Sequence, residues 1–233
     1  MSSIIDVRGL DKSFRLHNQG GLVIPVLRGL DLAVGSGECV VLAGPSGAGK
    51  STLLRCLYGN YKPQGGSIRV RHDGRMVDVI TAHHQTILDM RRRTIGYVSQ
   101  FLRVVPRVPA LDIVAEPLRR IGTAADAARA RARELLDRLA IPERLWSLAP
   151  QTFSGGEQQR VNIARGFAVD YPVLLLDEPT AALDADNRAR VASLIFDARR
   201  RGAAIVGIFH DQDFAAQVGT RRFDMTVLAR AAA

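Results

Sequence analysis

The run Gly44-Pro45-Ser46-Gly47-Ala48-Gly49-Lys50-Ser51-Thr52 constrains this chain more than any other feature. It satisfies the spacing G-x-x-x-x-G-K-[ST], whose glycines let the backbone wrap closely round an anion. A short apolar run, Cys39 to Ala43, of the kind found in a strand buried on both faces, precedes it. A helix-like segment, Ser51 to Tyr58, follows, with Gly59 as its C-terminal stop. Strand, loop and helix in that order aim successive N–H groups and a helix N-terminus at phosphate oxygens. Residues 44 to 52 are therefore the expected binding loop for a nucleoside triphosphate. Lys50 would reach the β- and γ-phosphates, and Ser51 would ligate Mg²⁺.

Val173 to Leu176 form a second apolar run, which delivers Asp177 and Glu178 at its end. In an open α/β sheet that edge is where ligands sit. Asp177 can hold Mg²⁺ or its water shell, and Glu178 can accept a proton from a water attacking the γ-phosphate. Two acidic residues after a strand also suit a helix N-terminus, and it is the binding loop that tips the reading towards chemistry. Ser154-Gly155-Gly156-Glu157-Gln158-Gln159-Arg160, ahead of the helix-like Val161 to Phe167, reads either as a second anion site or as an ordinary Ser N-cap.

The remaining pattern supplies the frame. Ile4 to Phe14 and Val26 to Val34 read as strands, separated by a polar loop at His17 to Gly21. Ser67 to Ile80 alternate around Asp73-Gly74, a hairpin turn. Thr123 to Leu139 have helical spacing, and Thr123 with Asp126 matches a capping box. Ala185 to Arg200 is helix-like and leads to a further apolar run, Ala203 to Phe209. Short apolar strands alternating with helices imply an α/β fold with a mostly parallel sheet, an N-terminal antiparallel β region and a helical insert.

With 233 residues, no repeat and no low-complexity linker, one domain is expected. No apolar run approaches the ~18–20 residues of a membrane-spanning helix. Asp6 and Arg8 interrupt the N-terminus where an export signal would be apolar, and Cys39 and Cys56 read as reduced core thiols, so a cytoplasmic protein with no direct membrane insertion is expected. The formal charge is +9, and of 32 basic residues only Lys12, Lys50 and Lys62 are lysine. Their clusters, Arg91 to Arg93, Arg199 to Arg201 and Arg221 to Arg222, are not interleaved with aromatics, so a nucleic-acid partner is not expected.

In their order, these motifs resemble the nucleotide-binding subunit of the ATP-binding cassette (ABC) superfamily, over about Ile4 to Phe214. The resemblance implies a P-loop NTPase core at about residues 1–100 and 166–233, and a helical signature sub-domain at about 101–165. It implies ATP and Mg²⁺ as cofactors and ATP hydrolysis by a head-to-tail pair, homodimeric or with a related subunit. Ser154, Gly155 and Gly156 would then bind the γ-phosphate held by the opposite protomer. Gln100 resembles the glutamine that links the Mg²⁺ and water site to the helical sub-domain, and His210 the switch histidine on the γ-phosphate. Ala181-Ala182-Leu183-Asp184 resembles the loop along the dimer seam, and Phe14 stands where the family places an adenine-stacking aromatic. Each has a bland rival: core packing for Phe14, and a metal pair with Asp211 for His210. His83 and His84 read as a solvated loop. Two positions depart from the family pattern, Glu157 for glutamine and Phe153 for leucine.

Ile68 to Ala82, Ser99 to Arg107, Gln158 to Asp170 and Arg201 to Asp211 resemble one branch, the PhnL-type proteins of the bacterial carbon–phosphorus lyase (phosphonate) system. That likeness implies work on the soluble lyase core complex. The alternatives are the motor subunit of a membrane ABC transporter, for phosphonate import or lipoprotein release for example, and a DNA-linked cassette supported by the net charge alone.

Overall fold

The computed structural model describes residues 3–16, 20–100, 102 and 106–225. Residues 17–19 of the expected polar loop, and 101 and 103–105 of the Ser99 to Arg107 stretch, lie outside the described residues.

Strands β1 (Ser3–Leu16) and β2 (Leu22–Gly35) form a long antiparallel hairpin. Strand β3 (Cys39–Ala43) follows, and its chain turns through residues 44–49 into helix α1 (Lys50–Leu57). Gly59, at φ 75°, ends that helix in a left-handed conformation that suits glycine. Strands β4 (Gly65–His72) and β5 (Arg75–Asp78) are joined by Asp73 and Gly74, both at positive φ, as a tight hairpin turn requires. Helix α2 (His84–Arg93) leads to β6 (Ile95–Val98). Helices α3 (Ala110–Arg120), α4 (Ala125–Arg138) and α5 (Glu143–Trp146), a 3₁₀ turn at Pro150–Thr152, and α6 (Gly155–Gly166) make the helical layer. The chain closes with β7 (Val173–Asp177), α7 (Ala185–Arg200), β8 (Ala204–Ile208), α8 (Gln212–Val218) and β9 (Arg221–Asp224).

Among the described residues two sheets result: an antiparallel one in the order β2-β1-β4-β5, and a parallel one in the order β6-β7-β8-β3-β9. Alternation along the parallel strands divides the interior. Val40, Leu42, Val173, Leu175, Ala204 and Val206 join α1 and the antiparallel sheet in one core. Cys39, Val41, Leu174, Leu176 and Ile205 face the other core, with α3, α4, α6 and α7. A strand apolar on both sides needs cover on both sides, which is why these runs read as continuous rather than alternating. The cysteines are free and buried, and burial pushes the Cys39 thiol up to about 12 and the Cys56 thiol up to about 11, as inert core thiols require. No helix among the described residues is long and apolar enough to cross a membrane.

Two local expectations are corrected. The Thr123 and Asp126 capping box does not form: Ala124 is the N-cap of α4, without a side-chain cap, and Asp126 lies in the first turn, where its charge suits the helix dipole. His83 and His84 are exposed, as expected, but they start a helix and do not lie in a loop. His83 Nδ1 accepts from Gln85 N–H at the start of α2, and the two rings lie 4.2 Å apart.

Candidate functional site

The functional groups collect at the C-terminal ends of β3, β7 and β8. Gly49, at φ 87°, is the N-cap of α1, and a Cβ there would lie 2.9 Å from Leu27 Cδ2, so the loop cannot take that path with a larger residue. Helix α1 has no side-chain cap and no acidic residue in its first turn, which leaves the N-terminal N–H groups to an anion. Lys50 Nζ donates to the carbonyls of Gly44 and Pro45, both at 2.7 Å, and so folds back over the loop. Ser51 and Thr52 complete the first turn of α1, and both are half-buried.

Asp177 ends β7 and is buried. Its Oδ1 accepts from the Ser51 hydroxyl at 3.0 Å and its Oδ2 from the Tyr97 hydroxyl at 2.7 Å. A hard cation takes oxygen ligands, and the convergence of a carboxylate with the Ser51 hydroxyl fits Mg²⁺. Burial, then the bond to Asp177, pushes the Tyr97 phenol up against the opposing effect of Arg55, so it serves as a donor at neutral pH.

The next residue, Glu178, sits at φ 53°, a left-handed conformation uncommon for a residue with a side chain. Its N–H bonds the Ile208 carbonyl at 3.1 Å. Glu178 Oε1 lies 2.9 Å from His210 Nε2, and Gln100 Nε2 donates to Glu178 Oε2 at 2.9 Å. The structure thus brings Gln100, Glu178 and His210 into one contact set. Glu178 and His210 line an open cleft of about 660 Å³ together with Gly44, Pro45, Ser46 and Lys50. This arrangement can hold a phosphate chain, a cation and a water to be deprotonated.

Ser154, Gly155 and Gly156 do not line that cleft. Ser154 and Gly155 are exposed at the start of α6, where Ser154 is a true N-cap. The Ser154 hydroxyl and N–H both donate to Glu157 Oε2, at 2.8 and 2.9 Å, while Ser154 Oγ accepts from Glu157 N–H at 3.3 Å. The Ser154 hydroxyl and then its N–H hold the Glu157 carboxyl below its ordinary value. A depressed carboxyl stabilises the fold above the ordinary carboxylate range, and that contribution is lost as pH falls through the lowered value. Phe14 is half-buried on β1, edge-on to Tyr61 at 5.3 Å, with Lys12 Nζ 4.8 Å from its ring centre. Phe14 is likewise absent from the lining of that cleft.

Several positioning groups escaped the sequence reading. Gln159 Nε2 donates to the Pro179 carbonyl at 3.0 Å, and Asn162 Nδ2 to the Ser99 carbonyl at 2.6 Å, so α6 is tied to the segments carrying Glu178 and Gln100. Both side chains are buried, and an amide on an otherwise apolar helix face was the available signal. Tyr97, inside an apolar strand, offered none.

The ABC transporter family profile matches residues 27–181, two thirds of the chain and all of the loop and both acidic residues. The chain belongs to that family. It is 39% identical over 212 residues to the lipoprotein-releasing system ATP-binding protein LolD of Hyphomonas neptunium, covering 91% of this chain and 90% of LolD. An uncharacterized ABC transporter ATP-binding protein of Mycobacterium tuberculosis is 40% identical over 195 residues, which are 84% of this chain and 58% of that protein. The macrolide export ATP-binding/permease protein MacB of Marinobacter nauticus is 38% identical, over 91% of this chain and 32% of its own length. The chain thus spans little more than half of the mycobacterial relative and a third of MacB. A dimeric ATP-binding cassette in a post-hydrolysis state, bound to ADP and Pi, superposes with a TM-score of 0.85 at 30% identity, over 94% of this chain and 93% of that one. The fold is that of an ABC nucleotide-binding cassette, a family of ATPases. None of these relatives is described as a PhnL-type protein, so the expected branch assignment finds no support among them.

Proposed function

We propose that this cassette is the ATP-hydrolysing motor subunit of a membrane ABC transporter, working as a pair of cassettes. The observation that carries the transporter reading is the match to LolD along nearly the whole of both chains. It favours the transporter over the carbon–phosphorus lyase complex, for which only short stretches of sequence spoke.

In the pair, residues 44 to 52 of one protomer hold the triphosphate, and Ser154, Gly155 and Gly156 of the other approach its γ-phosphate. The exposure of Ser154 and Gly155, and the position of all three away from the cleft of their own chain, support a role across a seam. Ala181 and Ala182 are also exposed, and Gly156 lies close enough to Ala182 that a Cβ would meet its carbonyl at 3.3 Å. Ser51 and Asp177, with Gln100 from the next loop, would hold Mg²⁺, which when bound neutralises developing phosphate charge. Glu178 takes the proton of the attacking water, and its contacts with Gln100 and His210 orient it for that step. Lys50 turns from the loop carbonyls to the phosphates. Phe14 meets the adenine on the ring face that Lys12 does not cover.

Glu157 places a carboxylate beside the Ser154 hydroxyl that the partner's γ-phosphate needs. Glu157→Gln keeps the reach and removes the charge, so ATP-driven pairing should tighten about two- to fivefold, the scale of one partly screened charge. Sedimentation equilibrium in a slow-hydrolysing background reads this; weaker pairing would contradict it.

A cleft of about 380 Å³ between β6 and helices α3 and α6, with Arg91, Arg92, Glu116, Arg120 and Tyr97 in its walls, is where this reading would seat the transport partner. Affinity capture from detergent-solubilised native cells, with Glu178→Gln as bait in Mg·ATP, is expected to recover a polytopic permease subunit. Recovery of soluble lyase subunits instead would overturn the transporter reading.

A further inference from the structure

Asp177 is held on both oxygens, and only one of the two holders belongs to the binding loop. Ser51 donates to Oδ1, whereas Tyr97 donates to Oδ2 from β6, the edge strand of the parallel sheet. The register sets this contact. Tyr97 lies beside Leu175 and Val98 beside Leu176, so the tyrosine ring extends past the strand end towards Asp177. Its ring is fixed by Tyr58, 5.1 Å away at 34°, and Arg91 caps the Tyr58 ring at 4.7 Å. Arg55, whose Nη1 donates to the Tyr61 hydroxyl, also lies against the Tyr97 hydroxyl. A phenol packed between an aromatic and a guanidinium has little freedom to follow its acceptor, so the acceptor follows the phenol.

We propose that Tyr97 is a positioning residue of the ATPase: its hydroxyl pins Oδ2 of Asp177, so that Oδ1 and the Ser51 hydroxyl are presented together to the divalent cation. A buried carboxylate whose second oxygen lacks a donor would rotate to find one, and the two cation ligands would separate. Tyr97 also forms part of the cleft wall beside α3 and α6, so the side chain that fixes the cation carboxylate is one that a seated partner would touch.

The inference rests on Asp177 and Ser51 holding the cation, and the experiment separates the two claims. In the full chain carrying Glu178→Gln, which keeps ATP intact, Mn²⁺ binding with saturating ATP is measured by the electron paramagnetic resonance of free Mn²⁺. Tyr97→Phe removes one oxygen and keeps the ring against Tyr58. Its Mn²⁺ dissociation constant is expected to rise about 3- to 10-fold, the size of one hydrogen bond, with metal-free ATP affinity within about twofold of the parent. With Glu178 restored, the half-saturating Mg²⁺ concentration for turnover should rise by the same factor, and turnover at saturating Mg²⁺ should change less. Equal Mn²⁺ affinity in parent and variant would overturn the role of Tyr97. A parallel loss of metal-free ATP affinity would also overturn it, because that is what mere packing damage gives. Should Tyr97→Phe not fold, Arg55→Lys alters the setting of the same hydroxyl from an exposed position; the same selective loss of Mn²⁺ affinity supports the role, and unchanged affinity overturns it. Absence of ATP-dependent Mn²⁺ binding in the parent would instead sink the cation assignment itself, and this inference with it.

Discussion

Glu178→Gln is expected to lower ATP turnover by ~10² or more while leaving nucleotide binding in place. The expectation comes from geometry. The Glu178 carboxylate faces the phosphate cleft, with one oxygen on His210 and the other on Gln100, each at 2.9 Å. The amide is the same shape and can still bond both neighbours, so the site keeps its form and loses only its proton acceptor. A left-handed backbone at φ 53° explains how the side chain reaches the cleft, directly after Asp177 has taken the buried position below it. Single-turnover kinetics with labelled ATP, alongside calorimetric binding, separate the two effects. Parent-like turnover in the variant would remove Glu178 as the base.

Lys50→Ala is expected to weaken Mg·ATP binding by about 10- to 100-fold, the loss of charge-assisted bonds to phosphate oxygens. Lys50 bridges the Gly44 and Pro45 carbonyls at 2.7 Å, so its ammonium is stationed within the loop it would serve. Those carbonyls lie at a solvent-facing loop, and water replaces the lysine there. The loop path itself depends on Gly49 packed against Leu27 and Val26, which the substitution does not touch. Calorimetric titration checks the loss, and unchanged affinity would deny the loop its phosphate.

The sequence made the strand–loop–helix unit around residues 44 to 52 legible because G-x-x-x-x-G-K-S needs neighbours that are themselves legible: a five-residue apolar strand before it and a helix after it. Strands β7 and β8 were readable for the same reason, and α7 begins and ends at the residues its pattern suggests. Helix α2 was not, since Met90 is its one buried residue and no apolar stripe marks it. Helix α3 was hidden by Pro117, which reads as a stop yet lies inside the helix, buried with Ile113 and Val114. The expected cap at Thr123 failed by one position, as Ala124 is the N-cap in its place.

Within the site, residue types announced Lys50, Ser51, Asp177 and Glu178, but not the contacts between them. Nothing in the composition of β6 says that Tyr97 rather than Val98 meets Asp177; the parallel register with β7 decides it. Ser154 illustrates two readings that the structure makes compatible. It is an ordinary N-cap closed by Glu157, and it stands exposed at a helix start where a partner's phosphate could replace that carboxylate.

The most direct measurement is a crystal structure of the Glu178→Gln protein grown with Mg·ATP. It should show two protomers head to tail, each triphosphate lying along residues 44 to 52 of one chain, with Ser154 and Gly156 of the other against its γ-phosphate. Nucleotide bound elsewhere, or a loop left empty at saturating ATP, would contradict the central assignment.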